Sequence, residues 1–218
     1  MKKNKEYIYI VLVKALTTLG KIARVFTNYE YTHIAVCLDD KLNDFITFSR
    51  KKHYSPFDAG FMHETLDCYA YGKNDNIKLK IFKLPVTKEN KNKIIDYINK
   101  IEQDNDYIFN IYSMITMPIL HGFRIYKSLN CMSFVSKIIE LSKTINLSKK
   151  YYKYNIKEID KLLTDYLYKE DYFYKTKIEN INYMDKVNIL FNINTFFKLN
   201  GKLLYRITCK KGLIKYEE

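Results

Sequence analysis

The feature that most constrains the fold of this chain is an apolar segment at residues 7–13 (YIYIVLV), which consists almost entirely of β-branched and aromatic side chains. Such a run is typical of a buried β-strand. It is much too short to cross a bilayer, which takes about 20 apolar residues, and Lys, Asn or Asp interrupts the other apolar stretches. The run follows a basic start, but no small-residue cleavage site comes after it. We therefore interpret it as a first strand and not as a signal peptide.

The spacing of apolar residues predicts further elements along the chain. Strands are expected at residues 32–38, 45–49 and 77–84, the first two forming a hairpin. Residues 51–66, with Pro56 and Gly60, are expected to form an irregular loop. Helices are expected at residues 15–26 and 107–117. Three further helices are expected to begin at capping residues: one after Thr87, one at 129–144 after Ser128, and one from Asn155 to about residue 167. The predicted class is α+β, an antiparallel sheet packed against helices.

The chain has 218 residues and a hydrophobic fraction of 47%, enough for one substantial core. We expect a domain over residues 1–167 and a C-terminal appendage over residues 168–218. The appendage is rich in Tyr, Lys and Asn but also has strongly apolar patches. It is expected to dock on the domain because its large apolar side chains are costly to solvate, namely Ile189, Leu190, Phe191, Phe196 and Phe197.

The four cysteines lie far apart, with no C-x-x-C pair, so neither a metal site nor a disulfide framework is expected. We expect no cofactor, and reduced thiols in a cytoplasmic protein. The net charge of +13 is compatible with an anionic ligand, although the lysines are scattered along the whole chain, as a compositional habit would produce. No nucleic-acid-binding motif and no transmembrane segment are present in the sequence.

Cys131 lies in the first turn of a predicted helix, just after residues 128–130 (SLN). The unpaired N–H groups and the positive end of the helix dipole stabilise a thiolate at such a position. A thiolate is the useful nucleophile of cysteine enzymes. The alternative is that Cys131 is a small buried hydrophobic residue, as most free cysteines are.

His33 lies on the predicted strand 32–38, on the same face as Ala35 and Cys37. An imidazole on a strand that faces a helix N-terminus is the geometry of a Cys–His catalytic pair. The other histidines are weaker candidates, because His53, His63 and His121 fall in predicted loops or turns.

These residues together resemble a known family. Residues 130–135 (NCMSFV) resemble the nucleophile helix of NlpC-type peptidases, and residues 33–48 resemble their histidine-bearing hairpin. Because His33 precedes Cys131, the order is similar to the circularly permuted, YiiX-like branch of the papain-like fold, which includes lecithin:retinol acyltransferase-type enzymes. Residues 22–33, 48–51 and 60–64 are similar to further stretches of a bacterial group in that branch. The similarity covers about residues 6–145.

The resemblance implies a polar residue on the strand after the histidine strand, which orients the imidazole. Aligning the hairpin gives Thr47 this role, and Glu64 is the rival because a carboxylate would also raise the pKa of the histidine. The sequence departs from the family at Met132 and Ser133, where Ser-Glu is usual, and at Ser49, where Gly is usual. Neither departure removes a catalytic side chain.

The expected activity is acyl transfer to water. Cys131 attacks an amide or ester, a thioester forms, and water hydrolyses it, with His33 as general base. The backbone N–H of Cys131 is the expected oxyanion donor. The alternatives are an acyltransferase and a non-catalytic binding module of the same fold. The sequence does not specify the acyl or peptide substrate.

Overall fold

The computed structural model describes residues 5–71, 74–175 and 181–209. The strands within these ranges are β1 (Glu6–Val13), β2 (His33–Cys37), β3 (Phe45–Lys52), β4 (Ser55–Glu64), β5 (Asn76–Val86), β6 (Ile108–Phe109), β7 (Ser128–Leu129) and β8 (Leu167–Tyr174). The helices are α1 (Thr18–Thr27), α2 (Leu66–Tyr69), α3 (Lys88–Gln103), α4 (Ile111–Ile115), α5 (Met117–Leu120), α6 (Cys131–Ser142), α7 (Ile156–Leu162) and α8 (Ile189–Cys209).

Six strands form one antiparallel sheet in the order β4-β3-β2-β1-β5-β8. The predicted α+β class, a sheet packed against helices, is thereby confirmed. β1 lies near the middle and pairs with β2 on one side and β5 on the other. The two shortest strands, β6 and β7, form a separate parallel pair, Ile108 with Ser128 and Phe109 with Leu129.

The middle of the sheet is buried on both faces, whereas the edge strand β8 is mostly exposed. Side chains alternate along a strand, so β1 sends Ile8, Ile10 and Leu12 into one hydrophobic cluster and Tyr9, Val11 and Val13 into another. The first cluster contains the inward faces of α3 and α6, and the second contains residues of α2. This explains why residues 7–13 are almost entirely apolar.

α3 and α6 cover the face of the sheet that carries Ile34, Val36 and Phe48. Thr87 caps α3 as predicted, its hydroxyl accepting a hydrogen bond from the N–H of Asn90. On α6, the ring of Phe134 packs on Phe48 of β3, with the ring centroids 5.4 Å apart. These contacts fix the position of α6, and therefore of the residue at its N-terminus, over β2 and β3.

The prediction of a loop at residues 51–66 was wrong. β4 occupies most of this segment and pairs with β3, Phe45 opposite Glu64 and Thr47 opposite Met62. Pro56 and Gly60, on which the loop prediction rested, are tolerated because β4 is the outermost strand of the sheet. The hairpin brings Glu64 back beside the start of β3.

Three predicted helices have different bounds. The segment 107–117 contains the strand β6 and then the two short helices α4 and α5, with Pro118 in the first turn of α5. α6 begins at Cys131 with Asn130 as its cap, whereas Ser128, the predicted cap, lies in β7. Asn155 does cap α7, but that helix ends at Leu162.

The C-terminal segment joins the fold through two elements. β8 is the sixth strand of the main sheet and pairs with β5. α8 buries Leu199, Leu203 and Arg206. Of the apolar residues expected to dock this segment, Phe196 packs on Phe57 of β4 with the ring centroids 4.8 Å apart, whereas Ile189, Leu190 and Phe197 are largely exposed and Phe191 is 37% exposed. Residues 176–180 and 210–218 of the predicted appendage lie outside the described ranges.

No helix within residues 5–71, 74–175 or 181–209 has the length and apolarity needed to cross a membrane.

Arg206 fastens α8 to the segment before α6. Its guanidinium is buried and donates to three carbonyls, those of Asp106 (2.6 Å), Lys127 (2.8 Å) and Tyr126 (3.1 Å). A buried guanidinium satisfied in this way holds several main-chain acceptors at once. The last helix is therefore connected to the residues that lead into Cys131.

We expect Arg206→Ala to lower the free energy of unfolding by about 2–4 kcal/mol, because three carbonyls lose a charged donor. Lys202→Ala is the matched control, since Lys202 is an exposed residue of the same helix. Urea unfolding followed by circular dichroism measures both. Equal midpoints for the two variants would contradict the role given to Arg206.

Candidate active site

The candidate nucleophile is the first residue of α6. Asn130 caps this helix: its side-chain oxygen accepts from the N–H of Ser133 (2.9 Å), and the Ser133 hydroxyl accepts from the N–H of Asn130 (3.0 Å). This reciprocal capping box is the local reason that the helix begins at Cys131. The first intrahelical bond runs from Phe134 N–H to the Asn130 carbonyl, so the N–H groups of Cys131 and Met132 precede it. The thiol therefore lies at the positive end of the helix dipole.

The residues before Cys131 are held by main-chain pairing. The N–H of Ile108 donates to the carbonyl of Lys127 (3.0 Å), and the N–H of Asn110 donates to the carbonyl of Leu129 (2.8 Å). The Lys127 carbonyl also accepts a hydrogen bond from the Arg206 guanidinium. Cys131 thus follows a strand-to-helix junction that is held by these hydrogen bonds.

His33 is the first residue of β2, opposite Val13 of β1. Its Nε2 lies 2.7 Å from Oε2 of Glu64, and the Cys131 side chain is close enough to the imidazole to raise its pKa. Because Nε2 faces Glu64, Nδ1 is the ring nitrogen left for the thiol. The three side chains therefore lie in the order thiol, imidazole and carboxylate.

The carboxylate of Glu64 is hydrogen-bonded to three side chains. Its side chain is only 3% exposed. Besides His33, it accepts hydrogen bonds from the hydroxyl of Tyr69 (2.7 Å) and from the hydroxyl of Ser49. Its position follows from the β3–β4 hairpin, which sets it opposite Phe45, and from α2, which begins two residues later and carries Tyr69.

Charge and burial set the protonation of the pair. Burial by itself lowers the pKa of His33, but the Glu64 carboxylate and the Cys131 side chain outweigh it and raise the pKa to about 10. Burial by itself raises the pKa of Glu64, but the charge of His33 and the hydrogen bonds outweigh it, so the pKa lies below its usual value. At neutral pH the site therefore holds an imidazolium beside a carboxylate.

The hydrogen-bond partner of the Thr47 hydroxyl is a main-chain carbonyl and not the imidazole. Its hydroxyl is fully buried and donates to the carbonyl of Ile34 (2.8 Å), which links β3 to β2. That bond uses the only hydrogen that the hydroxyl can donate. The geometry thus gives Glu64, rather than Thr47, the place beside His33, and Thr47 serves the strand pairing.

Two participants were missed by sequence reasoning. Ser49 was noticed only as a departure from the family pattern, yet its hydroxyl bonds Glu64. Tyr69 was not noticed at all, because no spacing rule connects it to the other residues. The centroid of its ring lies 5.7 Å from that of His33 and 5.3 Å from that of Phe45, so the Tyr69 ring packs against the imidazole.

The remaining cysteines have other surroundings. Burial, followed by the nearby acidic side chains, raises the pKa of Cys37 well above its usual value. Burial and then Glu64 raise the pKa of Cys68 to about 11. Cys209, by contrast, is exposed near the end of α8. Cys131 is 6% exposed and the side chain of His33 is 14% exposed, so both keep some contact with solvent.

The other histidines lie in other arrangements. His63 is exposed and pairs with Asp44 (2.8 Å) and Glu102 (3.3 Å). His53 is surrounded by the rings of Tyr54, Tyr71 and Tyr183. Neither is bonded to a cysteine by any contact found in the part of the chain that the structure describes. In that same part, no cluster of His, Cys, Asp and Glu has a geometry suited to a metal ion.

Comparison with known proteins gives no assignment: no family model matches the chain, and neither a curated protein nor a solved structure matches it.

Proposed function

We propose that this protein is a cysteine-nucleophile hydrolase that cleaves amide or ester bonds through a thioester, in a circularly permuted, papain-like fold of the NlpC type. One observation carries the proposal. Cys131, at the N-terminus of α6, lies near His33 and raises the pKa of its imidazole, whose Nε2 is 2.7 Å from the buried carboxylate of Glu64.

The first step takes place before substrate binds. The thiol proton passes to Nδ1 of His33, because Glu64 and the helix dipole favour the imidazolium and the thiolate, respectively. Glu64 remains ionised and fixes the ring orientation through Nε2. Ser49 and Tyr69 hold the carboxylate in place, and their hydroxyl groups offset the cost of burying its charge.

In the acylation step, the sulfur of Cys131 attacks the carbonyl carbon and the carbonyl electron pair moves to oxygen. As the tetrahedral intermediate collapses, the bond to the leaving group breaks and His33 donates its proton to the departing amine or alcohol. The product of this half-reaction is a thioester on Cys131 with a neutral imidazole beside it.

In the second half-reaction, water attacks the thioester. His33 takes a proton from the water, the carbon–sulfur bond breaks, and the acid leaves. The thiolate and the imidazolium are restored, so the cycle is balanced without any further reagent. An acyltransferase would share every step up to the thioester and would differ only in the nucleophile that replaces water.

The developing oxyanion needs donors. The backbone N–H of Cys131 precedes the first intrahelical hydrogen bond and is one donor. The side chain of Asn130 supplies a second candidate. Its Oδ1 is used by the capping box, but its Nδ2 is buried without an acceptor among the described residues. Since an unpaired buried amide is costly, a substrate oxygen is a reasonable partner for it.

The proposal is tested with p-nitrophenyl acetate, a simple activated ester. We expect a burst of p-nitrophenol and, after an acid quench, an acetyl group on the peptide that contains Cys131. Cys131→Ser should abolish the burst, and His33→Gln should slow acylation by about 10²–10⁴-fold.

The matched control is Cys209→Ser, which removes an exposed thiol and should leave the burst unchanged. In a binding module of the same fold, p-nitrophenyl acetate would acetylate each nucleophilic side chain according to its exposure alone. Acetylation of lysines or Cys209 at the rate found for Cys131 would therefore refute the hydrolase. Addition of an amine or alcohol acceptor then separates hydrolysis from acyl transfer by the product formed.

A further inference from the structure

A network of polar side chains holds the short segment that connects α1 to β2, residues 29–31 (YEY). The hydroxyl of Tyr31 donates to Oε1 of Glu170 in β8 (2.6 Å), and the hydroxyl of Tyr29 donates to the carboxylate of Asp160 in α7. The two acceptors lie 139 and 131 positions later in the chain, respectively. The segment before β2 is therefore tied to elements near the other end of the sequence.

Lysines of β5 bind the same carboxylates. Nζ of Lys78 lies 3.0 Å from Glu170 and 2.9 Å from Glu30, and Nζ of Lys80 lies 2.8 Å from Asp160 and 3.8 Å from Glu170. The three carboxylate side chains are 13–36% exposed. Their partly buried charges are thus neutralised by ammonium groups, and one network joins the segment to β5, α7 and β8.

The position of His33 depends on this segment because His33 stands at the end of a strand. Val13 opposite His33 is the last pair between β1 and β2. The pairing of β2 with β3 is found at Val36 and Ile46, three residues away from His33. The N–H of Thr32 donates to the carbonyl of Val13 (3.1 Å). Since strand ends open more readily than strand middles, the residues before β2 contribute to holding the imidazole in place.

Tyr31 is the member of the network that lies nearest to His33 in the sequence, with only Thr32 between them. It is 4% exposed. Its hydrogen bond is the largest cause that lowers the pKa of Glu170, while burial acts in the other direction. The acceptor is therefore ionised at neutral pH, and a hydrogen bond to an ionised acceptor is stronger than a neutral one. The buried ring is thus fixed at its hydroxyl end.

We propose that Tyr31 and Glu170 are positioning residues for His33, which act through the main chain before β2 to hold the imidazole between Cys131 and Glu64. The inference rests on the proposed function, in which His33 is the general base. It gives β8, at the edge of the sheet, a part in the reaction although neither positioning residue is assigned a contact with substrate. Displacements of about 1 Å in a catalytic group are enough to slow a reaction strongly, so a loose segment would be costly.

Tyr31→Phe is the first test, because it removes the hydroxyl and keeps the buried ring. We expect the p-nitrophenyl acetate burst to slow by about tenfold. NMR titration of the His33 ring should give a midpoint below the native value of about 10, since the imidazole is less well placed beside Glu64. A purely structural role would lower the unfolding midpoint without moving the His33 titration.

Tyr154→Phe is the matched control. Tyr154 is also 4% exposed, and its hydroxyl accepts a hydrogen bond from the N–H of Ser148 (2.9 Å). The variant loses a tyrosine hydroxyl of equal burial and should change neither the burst nor the titration of His33. Circular dichroism checks that both variants are folded.

Glu170→Ala is the second test, because it removes the acceptor and leaves Tyr31 intact. It should lower the His33 titration midpoint as Tyr31→Phe does. If the hydroxyl acts through this carboxylate, adding Tyr31→Phe to Glu170→Ala should have no further effect. Additive effects of the two changes would contradict the assignment of Glu170.

The failure of this inference and the failure of the hydrolase are distinguishable, because the titration of His33 does not require turnover. A native chain without a burst, whose His33 midpoint falls in Tyr31→Phe, would refute the hydrolase and support the positioning of His33. A native burst, with burst and titration both unchanged in Tyr31→Phe, would overturn the positioning role and leave the hydrolase standing.

Discussion

At pH 6.5, iodoacetamide is expected to alkylate Cys131 at least about tenfold faster than the exposed Cys209. An ordinary exposed thiol is only about 1% thiolate at this pH. Cys131 is different because it lies at the start of α6 and near His33, whose imidazolium favours a thiolate. If exposure alone set the alkylation rates, Cys209 would react faster, because it is exposed and Cys131 is only 6% exposed. Mass-spectrometric mapping of the alkylated peptides over time measures the four rates.

The same experiment on variants assigns the cause. His33→Ala should slow the alkylation of Cys131 by about tenfold or more, since one stabilising charge is lost. Thr47→Val is the matched control, because it removes a buried hydroxyl that bonds Ile34 and not the imidazole. It should change the rate less than twofold, an order-of-magnitude bound for a side chain outside the proton path. If Cys131 reacts no faster than Cys209 and His33→Ala changes nothing, Cys131 is not an activated nucleophile.

Glu64→Gln is expected to destabilise the protein by about 3–5 kcal/mol near pH 6, because the buried His33 imidazolium loses its counter-charge. The amide keeps the shape of the side chain but only one acceptor oxygen, whereas Ser49 and Tyr69 donate to different oxygens of Glu64. The change therefore removes the charge and disturbs one of these two hydrogen bonds. Glu89→Gln is the control: this carboxylate on α3 pairs with Lys93 at the exposed surface, so its removal should shift the unfolding midpoint far less.

The pH dependence of this destabilisation follows from the pKa of His33. The pKa of His33 is about 10 in the folded chain, above its ordinary value of 6.5. Its contribution to stability is therefore fully present below pH 6.5 and is lost as the pH rises from 6.5 toward 10. The difference in unfolding free energy between native chain and Glu64→Gln should shrink over that window. A difference that stays constant from pH 6 to pH 9.5 would show that the pair is not ionised as described.

Glu64 acts in the opposite direction at low pH. Its pKa lies below the usual value in the folded chain, so its contribution is present above the unfolded value and is lost as the pH falls through the folded one. The pair therefore contributes most in mildly acidic solution.

Sequence patterns predicted the elements whose cause is local. The apolar run of β1 and the Thr87 cap with the isoleucine spacing of α3 each contain their own explanation. β4 was missed because its existence depends on β3, and a strand at a sheet edge can contain Pro and Gly. The start of α6 was misplaced by two residues because Asn130 and Ser133 form a capping box that outcompetes Ser128.

In the candidate site, too, the residues with local causes were predicted and those that depend on long-range contacts were not. Cys131 and His33 were candidates because the chemistry of each follows from its own predicted element. The choice between Thr47 and Glu64 depended on where the β3–β4 hairpin turns and on what the Thr47 hydroxyl meets. Both are long-range facts, since Glu64 lies opposite Phe45 and the hydroxyl bonds Ile34. Tyr69 belongs to a four-residue helix, which is too short for a periodic pattern of apolar residues to predict it.

The guanidinium of Arg206 has a consequence for how the protein is made. Chains leave the ribosome from the N-terminus, and domains fold as their residues become available. Cys131, His33 and Glu64 emerge early, but the carbonyls of Asp106, Tyr126 and Lys127 receive their donor only when residue 206 has been synthesised. Nascent chains that stop before this residue lack the support of the strand-to-helix junction. The hydrogen bonds that hold the junction before Cys131 are therefore completed only after residue 206 has left the ribosome.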